Sequence, residues 1–328
     1  VFGNWVNRGD WVVAAEKFME KGPRLLRKLL ATPTDRVRAQ WQEEYRGAPP
    51  SDPLVIPYLQ RRWRSKASGD PEIDHRKYVA ARYLSGRDNL TALSLGSGPG
   101  WNEAAWAQTG CFARIDGIEL SPALVADAAA RARRLGLDSI LRFHEGDAGR
   151  PPYPLDKYDL ILSEGALHHL APLSRVIPTL AATLASQGML VMLEFCGPDR
   201  FQWSRSQLAL TRQALGLLPP GSRIKENGRL KRTVYRPGRL RMLLSDPSEA
   251  VESSRIRPLL QRYFVPLEEK PLGGTIVNLV FYEITRHFMQ PDTAATRLLE
   301  GVCEMEETGL RSGEISSDYW FGIYRPRM

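Results

Sequence analysis

Two of the chain's five histidines are neighbours, His168 and His169, in the run Ser163-Glu164-Gly165-Ala166-Leu167-His168-His169-Leu170. A neutral imidazole or a carboxylate within hydrogen-bond reach can take the proton from a hydroxyl that must become a nucleophile. His169, His168 and Glu164 are therefore candidate general bases. Adjacent helical positions point about 100° apart, so one imidazole of the pair is expected to face a substrate, with His169 the first choice. The alternative for either histidine is to hold the loop. A second signal precedes them, Leu93-Ser94-Leu95-Gly96-Ser97-Gly98-Pro99-Gly100. Its glycines permit a tight turn and close approach of a ligand to the backbone, and a helix opening directly after it presents N–H groups and a positive dipole end.

These residues need a frame, and the chain supplies a regular one. Thr91 to Leu95, Ala113 to Leu120, Ile140 to His144, Tyr158 to Leu162 and Met189 to Phe195 have the short apolar character of strands. Helical stretches alternate with them: Trp101 to Gln108, Ser121-Pro122 to Leu135, and Leu173 to Ser186, each followed by a glycine. Strand alternating with helix predicts parallel strands with crossover helices, hence an α/β, Rossmann-like doubly wound sheet with ligands at the carboxyl ends of its strands. A helix is expected from Ile73 to Leu84 with Asp70-Pro71 at its start, and another from Asp246-Pro247 toward Leu260. Tyr263 to Leu267 and Tyr319 to Tyr324 complete seven strands. Thr275 to Phe288 reads as one helix because its apolar run is long and unbroken before Pro291.

The spacing Gly96, Gly98, Gly100 resembles motif I of the class I S-adenosylmethionine-dependent methyltransferases. Further elements follow in that family's order. Glu119 ends the second strand, 19 residues after Gly100, where a carboxylate can accept from both ribose hydroxyls. Asp147 lies in Glu145-Gly146-Asp147-Ala148, and Tyr158 to Leu170 and Gly188 to Glu194 resemble the fourth and fifth strands. The resemblance covers roughly residues 71–200. It implies S-adenosylmethionine as cofactor, bound through Gly96, Ser97, Gly98, Gly100, Glu119, Leu120, Asp147, Ala148 and Ser163. Ser94 departs from it, since the family often has an acid two residues before the first glycine.

Methyl transfer from a sulfonium is an in-line displacement in which positioning supplies much of the rate. The Asn/Asp-Pro-Pro-Tyr signature of amino-directed nucleic-acid enzymes is absent from the fourth strand, where Ser163-Glu164-Gly165 stands, and Pro151-Pro152-Tyr153 precedes that strand. O-methylation with a His base is the expectation. No His and carboxylate spacing suggests a metal, so transfer without one is expected.

Residues 200–245 carry 11 basic side chains against Glu226 alone, whereas residues 71–199 carry 12 basic against 15 acidic ones. This segment reads as an inserted helical cap, with Ser204 and Gln207 in a capping-box pattern. Its arginines suit an anionic acceptor such as a sugar phosphate or glycan precursor, and Arg200, Trp203, Lys231, Arg232 and Tyr235 are candidate substrate contacts. The organisation expected is a helical extension over 1–70, a cofactor-binding core over 71–199, the cap over 200–245 and completion of the sheet over 246–328.

The chain has 328 residues, 43% hydrophobic content, net charge +8 and three cysteines without paired spacing. That excludes a disulfide-stapled or cysteine–zinc fold. No apolar run reaches the roughly 18 residues of a spanning helix, and Val1 to Asp10 lacks a secretion pattern, so a cytoplasmic location is expected. Basic charge confined to the cap, with no binding module, disfavours nucleic acid. Contact with a membrane surface stays open. The rival readings are an RNA or protein methyltransferase, a nicotinamide-dependent oxidoreductase on the same sheet, and a non-catalytic subunit. Trp101 stands where a dinucleotide loop would carry its third glycine.

Overall fold

A computed structural model describes residues 5–7, 9–11, 32, 34–39, 52–155 and 157–327. Most of the apolar stretch between Trp11 and Leu30 lies outside them. Pro57–Ser68 (α1) and His75–Tyr83 (α2) precede the alternating core. The core runs β1 Leu90–Leu95, α3 Trp101–Ala107, β2 Phe112–Glu119, α4 Pro122–Arg134, β3 Leu141–Glu145, β4 Tyr158–Glu164, α5 Leu173–Thr183 and β5 Leu184–Phe195. Then come α6 Arg205–Leu217, α7 Arg239–Ser245, α8 Ile256–Tyr263, β6 Phe264–Gly273, α9 Val277–Phe281, α10 Thr293–Arg311 and β7 Tyr319–Pro326.

The seven strands lie in the order β3-β2-β1-β4-β5-β7-β6. β1 to β5 are mutually parallel, and β7 inserts antiparallel between β5 and β6. Strand periodicity divides the apolar residues between two layers. Ala92, Leu160, Leu162 and Val191 face a cluster that includes Trp63 of α1, Val79 of α2 and Trp106 of α3. Leu93, Leu95, Ile161, Leu190 and Met192 face Val176, Ile177 and Leu180 of α5 and Ile256 and Leu260 of α8. A third cluster joins Ala214 and Leu215 of α6 to Leu59 of α1, Val280 and Phe281 of α9 and Leu299 and Val302 of α10. The seven-stranded Rossmann-like architecture expected from the sequence is the one observed. Strand order reverses between β1 and β4, which opens the ligand crevice above those two strands.

Several local expectations are corrected. Asp74, not Asp70, caps α2, accepting from Lys77 N, while Asp70 Oδ1 accepts from Glu72 N in the preceding turn. Asp246-Pro247 starts no helix, and α8 begins at Ile256. α5 stops at Thr183 because β5 begins at Leu184. Thr275 to Phe288 splits into α9 and a 3-10 turn, Thr285–Phe288, on either side of Glu283 at φ 65°. Lys231 explains the split. Its buried Nζ donates to the carbonyls of Leu279, Val280 and Tyr282 at 2.8, 3.0 and 2.6 Å, drawing them out of a helical ladder. Ser204 does cap α6 by accepting from Gln207 N, but the Gln207 side chain donates to Thr275 O and Asp318 Oδ2 instead of closing a capping box.

Candidate active site

The turn after β1 takes left-handed backbone at Gly96, Gly98 and Gly100 (φ 59°, 52° and 80°), a region that glycine enters without a Cβ penalty. A Cβ on Gly100 would lie 2.9 Å from Phe143 and 3.0 Å from Ala128, so this glycine also lets α3 pack against α4 and β3. Gly96 is exposed within an otherwise buried loop, and a Cβ there would approach Ala166 Cβ at 3.2 Å. The β1 loop thus abuts the β4 loop two residues before His168.

Glu119, at the end of β2, is buried. It accepts from Gly98 N (3.0 Å) and Ser121 N (2.7 Å), and burial raises its pKa against these hydrogen bonds. It ties the glycine loop to the start of α4 while keeping further lone pairs for hydroxyls. Arg38 crosses above it, donating to Leu120 O at 3.0 Å and pairing with Glu145. Asp147 Oδ1 accepts from Gly149 N, Oδ2 pairs with Arg150, and Ala148 is buried beside it. Ser97 packs beside Gly117, where an added Cβ would meet Ser97 Cβ at 2.8 Å, and its backbone N–H donates to Ile118 O at 3.1 Å. One expected cofactor contact is corrected. The fully buried Ser163 hydroxyl donates to Glu194 Oε1 at 2.6 Å. Ser94 donates to Glu103 Oε1 at 2.5 Å, so α3 supplies a carboxylate beside the position where the expected acid is missing. Buried Glu103 is pushed up to about 7 by desolvation. The glycine loop, the strand-end carboxylate and the N-terminus of α3 make a donor set suited to a ribose-bearing ligand.

Glu164 is corrected as a base. Burial would raise its pKa, but His75 and Arg76 of α2 outweigh that and hold it at about 2, with Trp106 Nε1 donating at 2.6 Å. A carboxylate so stabilised anchors α2 over the sheet and does not accept a proton at neutral pH.

The two histidines occupy the 3-10 turn Leu167–His169, with ring centroids 4.0 Å apart. Glu194, wholly buried at the end of β5, organises that turn. Its Oε1 accepts from Ser163 Oγ, Ala166 N and Leu167 N at 2.6 to 2.8 Å, and its Oε2 accepts from His168 Nδ1 at 2.8 Å. Burial works to lower the His168 pKa, but Glu194, Glu249 and Asp246 together raise it above its usual value. His169 is held well below by burial and by His168. Glu249 lies opposite both rings, 3.7 Å from His168 Nε2 and 4.0 Å from His169 Nε2. The expectation of no His and carboxylate cluster is therefore corrected: Glu249 is 80 residues from His169, and the fold alone brings them together.

The cap residues divide. Arg200, at φ 54°, donates from Nη1 to Glu249 O and from its backbone N to Ala250 O, itself at φ 48°. It holds the Glu249 segment in place. Trp203 stacks on Phe201 at 5.6 Å, and Phe195 meets Phe201 edge-on. Lys231 is corrected: it is 4% exposed and its Nζ is committed to three backbone carbonyls. Tyr235 lies against Gly9, and Arg232 is exposed. Arg241 pairs with Asp10, Lys225 with Glu283, and Arg212 donates to Val234 O. Two cap cations are thus paired with acids and Lys231 is committed to carbonyls, while Arg205, Arg212, Arg229, Arg232 and Arg239 are exposed.

Residues 93–192 match a family model described as a methyltransferase domain. Erythromycin 3''-O-methyltransferase of Saccharopolyspora erythraea is 37% identical over 78 residues, 24% of this chain and 26% of that protein. Ajmaline N-methyltransferase of Rauvolfia serpentina is 35% identical over 83 residues, 25% of this chain and 28% of that protein. The matched segment thus spans about a quarter of these relatives' length. The geranyl diphosphate C-methyltransferase of Streptomyces coelicolor A3(2), solved with Mg²⁺, geranyl-S-thiolodiphosphate and S-adenosyl-L-homocysteine, superposes with TM-score 0.51 at 16% identity. That superposition covers 92% of this chain and 99% of that one. S-adenosylmethionine is the methyl donor of the family. Through its glycine loop, strand order and matched segment, residues 93–192 carry a methyltransferase domain of the class I S-adenosylmethionine-dependent type.

Proposed function

We propose that the protein transfers a methyl group from S-adenosylmethionine to an oxygen of a small-molecule, sugar or glycan-precursor acceptor. The observation that carries this reading is the Glu194–His168 pair at the carboxyl ends of β5 and β4. With Nδ1–H donated to Glu194, the neutral His168 ring keeps its lone pair on Nε2, where it can take an acceptor's hydroxyl proton. The bound cofactor supplies an electrophilic methyl carbon on a sulfonium, held by the glycine loop and Glu119. His168 Nε2 would take the hydroxyl proton of an acceptor oxygen positioned in line with that methyl group. His169 packs against this ring and shares the pocket with Glu249. An anionic acceptor rests on the cap cations that stay exposed, Arg205, Arg229, Arg232 and Arg239, while Asp246 and Glu249 put acidic groups beside the histidines themselves.

The test is methyl transfer from labelled S-adenosylmethionine into fractionated cell extract, with the product's methyl position read by mass spectrometry. A methyl on oxygen, with turnover lost in His168→Gln and S-adenosylhomocysteine binding retained, is the expected result. Methyl on nitrogen or carbon, or full turnover in that variant, overturns the reading.

A further inference from the structure

The atoms of His168, His169 and Glu249 are arranged as ligands are. One donor atom from each lies within 4.8 Å of the others, Nε2 of either ring facing the Glu249 carboxylate. Each ring is fixed from behind. His168 Nδ1–H donates to Glu194 Oε2 at 2.8 Å. His169 Nδ1 lies 3.3 Å from Ser248 Oγ, whose own proton is donated to Asp246 Oδ1 at 2.6 Å, so the hydroxyl accepts from the ring. In the neutral rings both Nε2 lone pairs therefore converge on a carboxylate, an arrangement that favours a positive charge between them. Outer hydrogen bonds from Nδ1 to a carboxylate or to a hydroxyl in contact with one are what orient metal-binding imidazoles. The three side chains are 11, 11 and 21% exposed, so an ion can reach them from solvent.

We propose that His168 Nε2, His169 Nε2 and Glu249 form a three-ligand site for a divalent transition ion of the zinc class, whose occupancy stops methyl transfer by engaging His168 Nε2. Two imidazoles and one carboxylate with a position left open suit zinc, cobalt or nickel rather than the all-oxygen shells of calcium or magnesium. Bonds of about 2.0–2.1 Å in a tetrahedron put ligand atoms roughly 3.3 Å apart, so the 3.7 and 4.0 Å separations from the Glu249 oxygens close by about half an ångström and the remaining edge, within 4.8 Å, by at most about 1.5 Å. Inhibition rests on the base assignment to His168, whereas ion binding does not.

The experiment is titration of the chelator-treated full chain with Co²⁺, followed by its visible d–d bands and by displacement with Zn²⁺. The expected result is one ion per chain, with affinity reduced about 100-fold or more in Glu249→Gln and His169→Gln. Calorimetric binding of S-adenosylhomocysteine by both variants shows that they are folded. Absent bands, or bands unchanged in the folded variants, overturn the site and leave the base assignment standing. Bands at full occupancy with labelled methyl transfer into extract undiminished overturn the inhibition and with it the base role of His168, while the site itself stands.

Discussion

Glu194 Oε2 accepts from His168 Nδ1 at 2.8 Å while Oε1 of the same carboxylate holds Ser163 Oγ and the backbone N–H groups of Ala166 and Leu167. One buried side chain on β5 therefore sets both the shape of the β4 loop and the tautomer of its histidine. Glu194→Gln keeps the acceptor atom for the loop but presents an NH₂ to Nδ1, which moves the ring proton to Nε2. Transfer is expected to fall about 10²-fold or more in kcat with S-adenosylhomocysteine affinity retained, as steady-state kinetics and calorimetry would read. A Gln variant with unchanged kcat removes Glu194 from the mechanism.

Glu164 carries a stability prediction. Its folded pKa of about 2 lies below the ordinary 4.5, so its contribution is present above pH 4.5 and lost as pH falls toward 2. Glu164→Gln is expected to destabilise at pH 7 by on the order of 3 kcal/mol, measured by urea unfolding. The difference from the native chain should shrink progressively below pH 4.5.

Glu103 has the opposite sign. Its folded pKa of about 7 lies above 4.5, so its ionisation removes stability as pH rises from about 4.5 through 7. Glu103→Gln preserves an acceptor for Ser94 Oγ and should raise Tm at pH 8 while changing it little at pH 4.5. Equal Tm changes at both values would show that this carboxyl is not held neutral by burial.

Lys231 separates a structural cation from a substrate contact. Replacing it with Met leaves three buried carbonyls without their donor and is expected to cost about 2–3 kcal/mol of stability. The acceptor KM of the folded variant should stay within twofold of the native chain. A large KM increase without loss of stability would restore Lys231 to the acceptor site.

Local chemistry in the sequence was sufficient for the sheet and its loop. Apolar runs punctuated at Gly110, Gly136 and Gly188 announce the alternation, and Gly96, Gly98 and Gly100 announce a turn that residues with a Cβ take only with strain. The second half was less legible. Thr275 to Phe288 carries a helical pattern, but Lys231, distant in sequence, competes for its carbonyls and breaks it.

What the sequence by itself determined is the class of fold and the glycine turn after β1 with Glu119 at the end of β2. Those follow from spacing within a few dozen residues. What only the tertiary structure decided is the charge state and aim of each group. Glu164 and Glu103 are both acids near the crevice, yet Arg76 and His75 stabilise one as an anion and burial pushes the other toward neutrality. His168 and His169 are adjacent and chemically identical, and Glu194 and Ser248 distinguish them. The +10 of the cap divided for the same reason, Lys225 and Arg241 pairing with acids while Arg205, Arg229, Arg232 and Arg239 stay exposed: an electrostatic role depends on neighbours and dielectric, which spacing along a chain does not specify.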